Sequence, residues 1–237
     1  MTTAEASRPT LLLVHGAWHG AWCWERLESV LVADGWTAQT VELPSAVRSH
    51  APTTEPLAGI HEDARVVRET LEGIEGPVIV VGHSYGGIPV TQAIADARNV
   101  SHAIYLAAYQ LDVHESLFGL HGAPEPEDPK GVVPPLENSE TEFYADVSEE
   151  ETVRAVRKLV PQSVRSFSER VTKAGWRTVP SSYIICEQDQ ALPPEVQEKL
   201  AARANYTHRL KSSHSPFLSM PQELAALLSN IALGETG

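Results

Sequence analysis

The sequence has little cysteine, few basic residues and no long apolar run. Its two cysteines, Cys23 and Cys186, lie far apart and outside any CxxC spacing. Neither a disulfide scaffold nor a structural zinc site is therefore indicated, and both thiols are expected to be buried, reduced packing residues. Lysine and arginine number 18 against 31 aspartates and glutamates, a formal net charge of −13. Because that charge repels phosphate backbones and anionic lipid surfaces, we expect neither nucleic acid nor a membrane as a partner.

The sequence also lacks the pattern of a targeting or membrane-spanning segment. Residues 1–9 contain no basic run followed by an apolar stretch, and no segment approaches about 18 continuous apolar residues. A cytoplasmic, soluble protein is predicted. The 237 residues are 42% hydrophobic and 21% charged, which favours a single globular domain over residues 1–237 that carries an insertion.

The order of apolar patterns predicts an α/β fold, a mostly parallel, doubly wound sheet of about six strands with helices on both faces. The predicted strands cover residues 10–14, 37–43, 78–81, 102–106, 182–186 and 206–210. The predicted helices of these layers cover residues 22–34, 57–73, 85–97, 194–203 and 221–233. Gly35 is the expected stop signal of the first helix.

The alternation of strands and helices breaks over residues 109–177, which we interpret as an inserted cap segment without strands of its own. Residues 122–137 are dense in proline, glycine and acidic residues, which is typical of an irregular excursion. Two helices are predicted after it. Ser148 and Glu151 have the spacing of a capping box for the first, and Pro161 suits the first turn of the second, which is predicted to run through Val171.

One motif has the spacing of a nucleophile. Residues 82–86 read Gly-His-Ser-Tyr-Gly and lie between a β-branched run and a helical period, where a G-x-S-x-G elbow exposes its serine at the sheet edge. Gly82 and Gly86 are needed there because side chains beside so tight a turn would collide with its neighbours. A structural serine or a phosphate cradle is the alternative, but the motif has neither a G-x-G-x-x-G pattern nor a P-loop lysine. Ser84 is the predicted nucleophile.

A serine hydroxyl needs a base, and the base needs an orienting acid, in the chain order serine, acid, histidine. The histidines that precede the serine are His15, His19, His50 and His61. Those expected on strands or in the cap are His102, His114, His121 and His208. His214 lies in a polar loop between the last strand and the last helix, and it is the predicted base.

The acid is expected at the carboxyl end of a strand between Ser84 and His214. Asp189 follows the strand at 182–186 and is the preferred candidate. Asp112 lies one strand earlier and is the alternative, while Glu187 is a weaker third whose side chain is expected to point to another face.

Acyl transfer also requires two donors for the developing oxyanion. The backbone N–H of Tyr85 supplies one within the elbow. The second is expected from Ala17, because Gly16 frees the loop after the first strand to point that N–H into the site. Trp18 is close enough to line a pocket.

His15 and His19 are four residues apart, the spacing of two metal ligands on a helix. No acidic or cysteine ligand stands near them, and Gly16 argues against a helix there. We therefore expect no metal, and no other cofactor is implied.

Residues 14–22, 82–87, 183–189 and 213–217 together resemble the α/β-hydrolase superfamily, in its compact branch of plant methylesterases, hydroxynitrile lyases and bacterial carboxylesterases. The resemblance covers nearly the whole chain, and the matching positions in that branch are oxyanion loop, nucleophile, acid and base. Lyases of the branch carry Thr and Lys where this chain has Gly16 and Ser215. Epoxide hydrolases and dehalogenases carry Asp where this chain has Ser84. The resemblance therefore implies a carboxylesterase-type serine hydrolase with an acyl-enzyme intermediate.

The cap is rich in apolar and aromatic side chains, which favours a small to medium apolar or aromatic ester as the substrate. The cap aromatics are Phe118, Phe143, Tyr144, Phe167 and Trp176. Gly16, Trp18 and Phe143 are the candidate substrate contacts. The same triad would suit a lactone, a thioester or a carbon–carbon bond, and a ligand-sensing protein that keeps the fold is a hypothesis of a different class. A monomer or homodimer is expected.

Overall fold

The computed structural model describes residues 8–48 and 56–234, so His50 lies outside the described residues. The strands, in chain order, are β1 (Thr10–Val14), β2 (Ala38–Val41), β3 (Val78–His83), β4 (Val100–Leu106), β5 (Val132–Val133), β6 (Gln162–Ser163), β7 (Ser181–Cys186) and β8 (Tyr206–Leu210). Six of them form one parallel sheet in the order β2-β1-β3-β4-β7-β8, which confirms the predicted architecture.

The helices cover both faces of this sheet. In chain order they are α1 (Glu25–Ala33), α2 (Ile60–Glu72), α3 (Gly87–Ile94), α4 (Leu117–Leu120), α5 (Ser139–Tyr144), α6 (Glu149–Val156), α7 (Val164–Ser168), α8 (Pro194–Ala201), α9 (Pro216–Ser219) and α10 (Pro221–Ala232). Short 3₁₀ turns lie at Ala21–Trp24, Ser84–Gly86 and Gly175–Arg177. Among the described residues, no helix has both the length and the apolar character needed to cross a membrane.

The central strands are largely apolar because both faces of the sheet are covered. All five residues of β1 are buried. Leu12 and Val14 pack into a core on one face, and Leu11 and Leu13 pack into a second core on the other. Cys23 and Cys186 are buried free thiols, as expected.

Most differences from the predicted elements lie at their ends. The first helix begins as the 3₁₀ turn at Ala21–Trp24 and ends as predicted at Gly35, whose φ is +79°. There the Trp36 N–H donates to Leu31 O and the Gly35 N–H to Val32 O, a Schellman motif that a glycine in the left-handed region completes. The helix predicted at 85–97 is shortened at its start, because residues 84–86 form a tighter turn.

The cap segment, residues 109–177, differs more from its predicted structure than the rest of the fold does. The prediction that it has no strands was wrong: β5 and β6 pair antiparallel, and Ala46 bridges to Gln162. The second cap helix was predicted too long, because β6 occupies its start and α7 ends at Ser168. The capping box was wrong as well. Ser148 is the N-cap of α6, but its side chain makes no cap hydrogen bond, and three glutamates in the first turn complement the helix dipole instead.

Candidate active site

The predicted site residues follow four different strands of the parallel sheet. Ala17 comes after β1, Ser84 directly after β3, Asp189 after β7 and His214 after β8. Because parallel strands present their carboxyl ends at one edge, all four residues meet at that edge of the sheet.

The turn after β3 is as tight as its glycines imply. Ser84 has a φ of +52°, in the left-handed region that costs a non-glycine residue about 1–3 kcal/mol. A Cβ added at Gly86 would lie 2.4 Å from the His15 carbonyl oxygen, and one added at Gly82 would lie 3.0 Å from the Cα of Gly87. Both glycines are therefore required by the close approach of neighbouring backbone.

His214 and Asp189 form a buried hydrogen-bonded pair. The Nδ1–H of His214 donates to Asp189 Oδ2 at 2.6 Å, and both residues are at most 5% exposed. Gln197 on α8 donates to the same oxygen at 3.0 Å, while the N–H groups of Ala191 and Leu192 donate to Oδ1 at 2.9 and 2.8 Å. The carboxylate accepts all four bonds, so it fixes the tautomer of His214 and leaves Nε2 for a second partner.

The loop that carries His214 is held from two sides. The Nε2–H of His83 donates to the His214 carbonyl oxygen at 2.9 Å, and the ring of His83 stays neutral because burial lowers its pKa. Asp146, in the cap, accepts the Ser213 N–H at 2.9 Å. Ser84 and His214 line one cavity without a direct hydrogen bond between them in the described part of the chain. Such bonds often tighten only when substrate is present.

The rival acids lie elsewhere. Asp112 accepts from Arg177 at 2.7 Å and from the Val113 N–H. Glu187 is exposed and lies 4.0 Å from Arg209. Neither is hydrogen bonded to His214, whereas Asp189 is.

His15 and His19 are committed to structural hydrogen bonds. The Nδ1–H of His15 donates to Gly16 O at 2.8 Å, and its Nε2 accepts the Leu43 N–H. The Nδ1–H of His19 donates to Ala17 O at 2.8 Å, and its Nε2 accepts the Tyr144 hydroxyl at 2.7 Å. Burial lowers the pKa of His15 to about 3 and that of His19 to about 4. Over residues 8–48 and 56–234, no cluster of three potential metal ligands is found.

The two predicted oxyanion donors border the cavity. The Tyr85 N–H is in the first turn of a helical segment, where it lacks an intrahelical acceptor. The Ala17 N–H makes no backbone or side-chain hydrogen bond within the described residues. Trp18, the next residue, is fixed in the left-handed region with a φ of +62°. Its N–H donates to Gln162 Oε1 at 3.2 Å and its carbonyl accepts the Val160 N–H at 2.9 Å.

The cavity is partly open to solvent, and its walls are mainly apolar. It is lined by Ala17, Trp18, Ser84, Tyr85, Tyr109, Leu117, Leu136, Phe143, Phe167, Ala191, Leu192 and His214. Two of the three candidate substrate contacts, Trp18 and Phe143, are in its wall. Gly16 is not, because it lies against the nucleophile itself: a Cβ there would be 2.9 Å from Ser84 Cβ.

Of the five cap aromatics named from the sequence, two, Phe143 and Phe167, line the cavity. The Tyr144 hydroxyl bonds to His19 and the Trp176 Nε1–H donates to Leu111 O, so these rings serve packing. Sequence reasoning missed several lining residues, among them Tyr109, Leu117, Leu136 and Leu192. They are isolated apolar residues in loops or short helices, and no periodic signal distinguishes them.

Comparison with known proteins gives a consistent result. A sequence profile described as "Alpha/beta hydrolase family" matches residues 11–227. The "Probable hydrolase R7" of Phoma sp. is 28% identical over 244 residues, which cover 95% of this chain and 99% of the relative. The crystal structure of the methylesterase protein MES16 from Arabidopsis has a TM-score of 0.80 at 27% identity, with 95% of this chain and 99% of that one covered. A polyneuridine aldehyde esterase mutant has a TM-score of 0.82 and the same coverages at 21% identity, which supports the fold alone.

Proposed function

The chain belongs to the alpha/beta hydrolase family, and on this basis we propose that it is a carboxylesterase-type serine hydrolase. Hydrolase and esterase relatives support an enzyme. The finer assignment depends chiefly on one observation: the 2.6 Å bond between His214 Nδ1 and Asp189 Oδ2, at a cavity that Ser84 also lines.

In the first half of the proposed reaction Ser84 becomes acylated. Its Oγ attacks the ester carbonyl carbon while the Oγ proton passes to His214 Nε2. The carbonyl oxygen becomes an oxyanion that accepts the N–H groups of Ala17 and Tyr85. Collapse of this intermediate breaks the bond to the leaving alkoxide, which takes the proton from Nε2.

The second half restores the enzyme. A water molecule gives a proton to His214 Nε2 and attacks the acyl carbon, and the same two N–H groups stabilise the second oxyanion. Ser84 Oγ then leaves with that proton and the carboxylic acid is released. Asp189 stays ionised throughout and stabilises the imidazolium form of His214. These steps require no cofactor.

The cavity supports a neutral, apolar substrate. None of its lining residues is a lysine or arginine, and its aromatic walls are Trp18, Tyr85, Tyr109, Phe143 and Phe167. We therefore propose a small to medium apolar or aromatic carboxylic ester.

Two other functions are weighed against this one. A lactone, thioester or carbon–carbon bond would use the same triad, and a product survey distinguishes them. A ligand-sensing protein has no need of a buried acid that holds the histidine tautomer, so the Asp189–His214 bond counts against it. Within the first class, cleavage of the carbon–carbon bond of a cyanohydrin is disfavoured, because cyanide leaves with a full negative charge and neither a lysine nor an arginine lines the cavity.

The proposal is tested with a panel of neutral aryl esters, charged esters, lactones, thioesters and cyanohydrins. The wild-type protein is expected to hydrolyse the neutral aryl esters fastest and to release cyanide only at background rate. Ser84→Ala should abolish the ester activity, while Ser101→Ala, which removes a hydroxyl on β4, should leave it intact. No hydrolysis by the folded wild-type protein, or full activity in Ser84→Ala, would refute the proposal.

A further inference from the structure

The proposed esterase mechanism gives no role to Asp63, a buried acid in the described part of the chain. Asp63 on α2 is completely buried, and it accepts three hydrogen bonds. The Tyr85 hydroxyl donates to Oδ2 at 2.6 Å, the Ser45 N–H donates to Oδ1 at 3.0 Å, and the Ser45 hydroxyl also donates to Oδ2. An ionised carboxylate has no proton to give, so each of these groups must be the donor.

This requirement sets the direction of a chain of hydrogen bonds. Because the Ser45 hydroxyl proton goes to Asp63, the Ser45 oxygen can only accept from Gln162, whose Nε2 lies 2.7 Å away. Gln162 Nε2 also donates to Ser166 Oγ at 2.9 Å, and the Ser166 proton is used on Ser163 O. The Gln162 amide therefore has only one orientation, with Oε1 left to accept the Trp18 N–H.

Each end of this chain of hydrogen bonds contacts a segment that carries one of the two proposed oxyanion donors. The Trp18 N–H belongs to the peptide that directly follows Ala17, so its bond to Gln162 fixes the loop that presents the Ala17 N–H. At the other end, Asp63 holds the side chain of Tyr85, the residue whose N–H is the second donor. One carboxylate is thus linked to both segments.

We propose that Asp63 is a positioning residue that holds the two oxyanion donors in place, acting on Tyr85 directly and on Ala17 through Ser45 and Gln162. This role rests on the proposed esterase function and extends it. It also explains why the polar side chains of Ser45 and Gln162 are buried.

Stability alone gives no reason for such a carboxylate. Burial raises the pKa of Asp63 to about 6, with the Ser45 and Tyr85 bonds acting in the opposite direction. Asp63 is therefore ionised at neutral pH, but its charge is held at a net cost relative to water. A neutral residue of the same shape is expected to be tolerated by the fold.

The test uses Asp63→Asn and Ser45→Ala. Asparagine at position 63 replaces an acceptor oxygen with an NH₂ donor, which reverses the donor and acceptor roles along the chain of hydrogen bonds. Alanine at position 45 removes the hydroxyl that connects Asp63 to Gln162. In both variants kcat on a neutral aryl ester should fall by on the order of 10²-fold with KM little changed, because displaced donors weaken the transition state rather than substrate binding. Amide hydrogen exchange at Trp18 should become faster in both.

Thr91→Val is the matched control. Thr91 lies on α3, the helix next to α2, and its buried hydroxyl is hydrogen bonded to the Tyr105 hydroxyl at 2.8 Å. Its loss should lower Tm without changing kcat or the amide exchange rate of Trp18. Unchanged Trp18 exchange, or an unchanged kcat in an active protein, would overturn the positioning role and leave the esterase intact. A wild-type protein that hydrolyses no ester would refute the proposed function first, and this role with it.

Discussion

At the scale of single residues, hydrogen bonding divides the histidines around Ser84 into two kinds. His15, His19 and His83 each donate one ring N–H to a backbone carbonyl and are neutral through burial. His214 instead donates to a carboxylate, which is the partner that stabilises an imidazolium. In the proposed mechanism, His214 is therefore the favourable acceptor for the proton of Ser84.

Asp189→Asn should preserve the fold and lower kcat by a factor on the order of 10⁴, by analogy with the acid of serine proteases. The amide can turn its NH₂ toward His214 and hold the wrong tautomer. Steady-state kinetics and circular dichroism measure the two effects. Asp112→Asn is the matched control, because Asp112 bonds to Arg177 and not to His214. A larger loss in Asp112→Asn than in Asp189→Asn would assign the acid to the earlier strand.

At the scale of the elements, the turn that carries Ser84 is held close against the end of β1 and the loop that follows it. Gly86 is the point of closest approach, and the obstructing atoms are the carbonyl oxygens of Val14 and His15. Backbone atoms of a central strand and its loop cannot yield as a flexible side chain would. The position of Ser84 therefore depends on the absence of a side chain at Gly86.

Gly86→Ala should lower both Tm and kcat, since its Cβ would lie 2.4 Å from His15 O. Thermal unfolding and aryl ester hydrolysis on the soluble fraction measure the change. Gly73→Ala, at the end of α2 with its nearest contact at 3.5 Å, is the control and should leave both quantities unchanged or raise Tm slightly. Equal Tm and kcat in Gly86→Ala and wild type would mean that the turn is looser than described.

The sequence predicted the main sheet well and the cap poorly, for a physical reason. β1 and β8 match their predicted bounds because each is a β-rich run closed by turn residues. β5 and β6 have two residues each, and α4, α5 and α7 have at most six, too few to show any period. Tertiary contacts decide such short elements, and those contacts are not visible in a local pattern.

The same distinction applies to the site. Ser84, Asp189 and His214 were predicted because motif and chain order place them at the ends of strands, although their roles stay predictions. Their supporting residues were missed. Gln162 lies 144 residues away in sequence from Trp18, the residue it holds, while Gln197 lies eight residues after Asp189. Nothing in the local sequence around either residue distinguishes it from a surface glutamine.

At the scale of the whole molecule, buried histidines make stability depend on pH. The pKa values of His15, His19 and His83 are lowered in the folded protein from an ordinary value of 6.5, first of all by burial. Below pH 6.5 the unfolded chain binds these protons and the folded chain does not, so stability is fully present above that pH and is lost on acidification. Asp63 has the opposite effect on stability. Its pKa is raised to about 6 in the folded protein, so below that pH the folded protein binds this one proton more readily than the unfolded chain.

Tm should therefore fall steadily as the pH is lowered from 7.5 to about 4.5, which differential scanning calorimetry measures. His19→Gln should make Tm less dependent on pH, because it removes one of the groups that bind a proton when the protein unfolds. Thr91→Val, which removes a buried hydroxyl and no titratable group, is the control and should retain the wild-type slope. A Tm that stays constant or rises over this range would show that the buried histidines do not control acid stability.

The proposed function requires that one serine, positioned by the turn after β3 and served by His214, reacts with acyl and phosphonyl groups. The most direct measurement is the reaction of the folded protein with an aryl fluorophosphonate, followed by mass mapping of the adduct, with heat-unfolded protein as the control. We predict rapid labelling at Ser84 alone, lost on unfolding, because only a serine activated by an imidazole reacts quickly with such reagents. A label on another serine, or no label on the folded protein, would contradict Ser84 as the nucleophile.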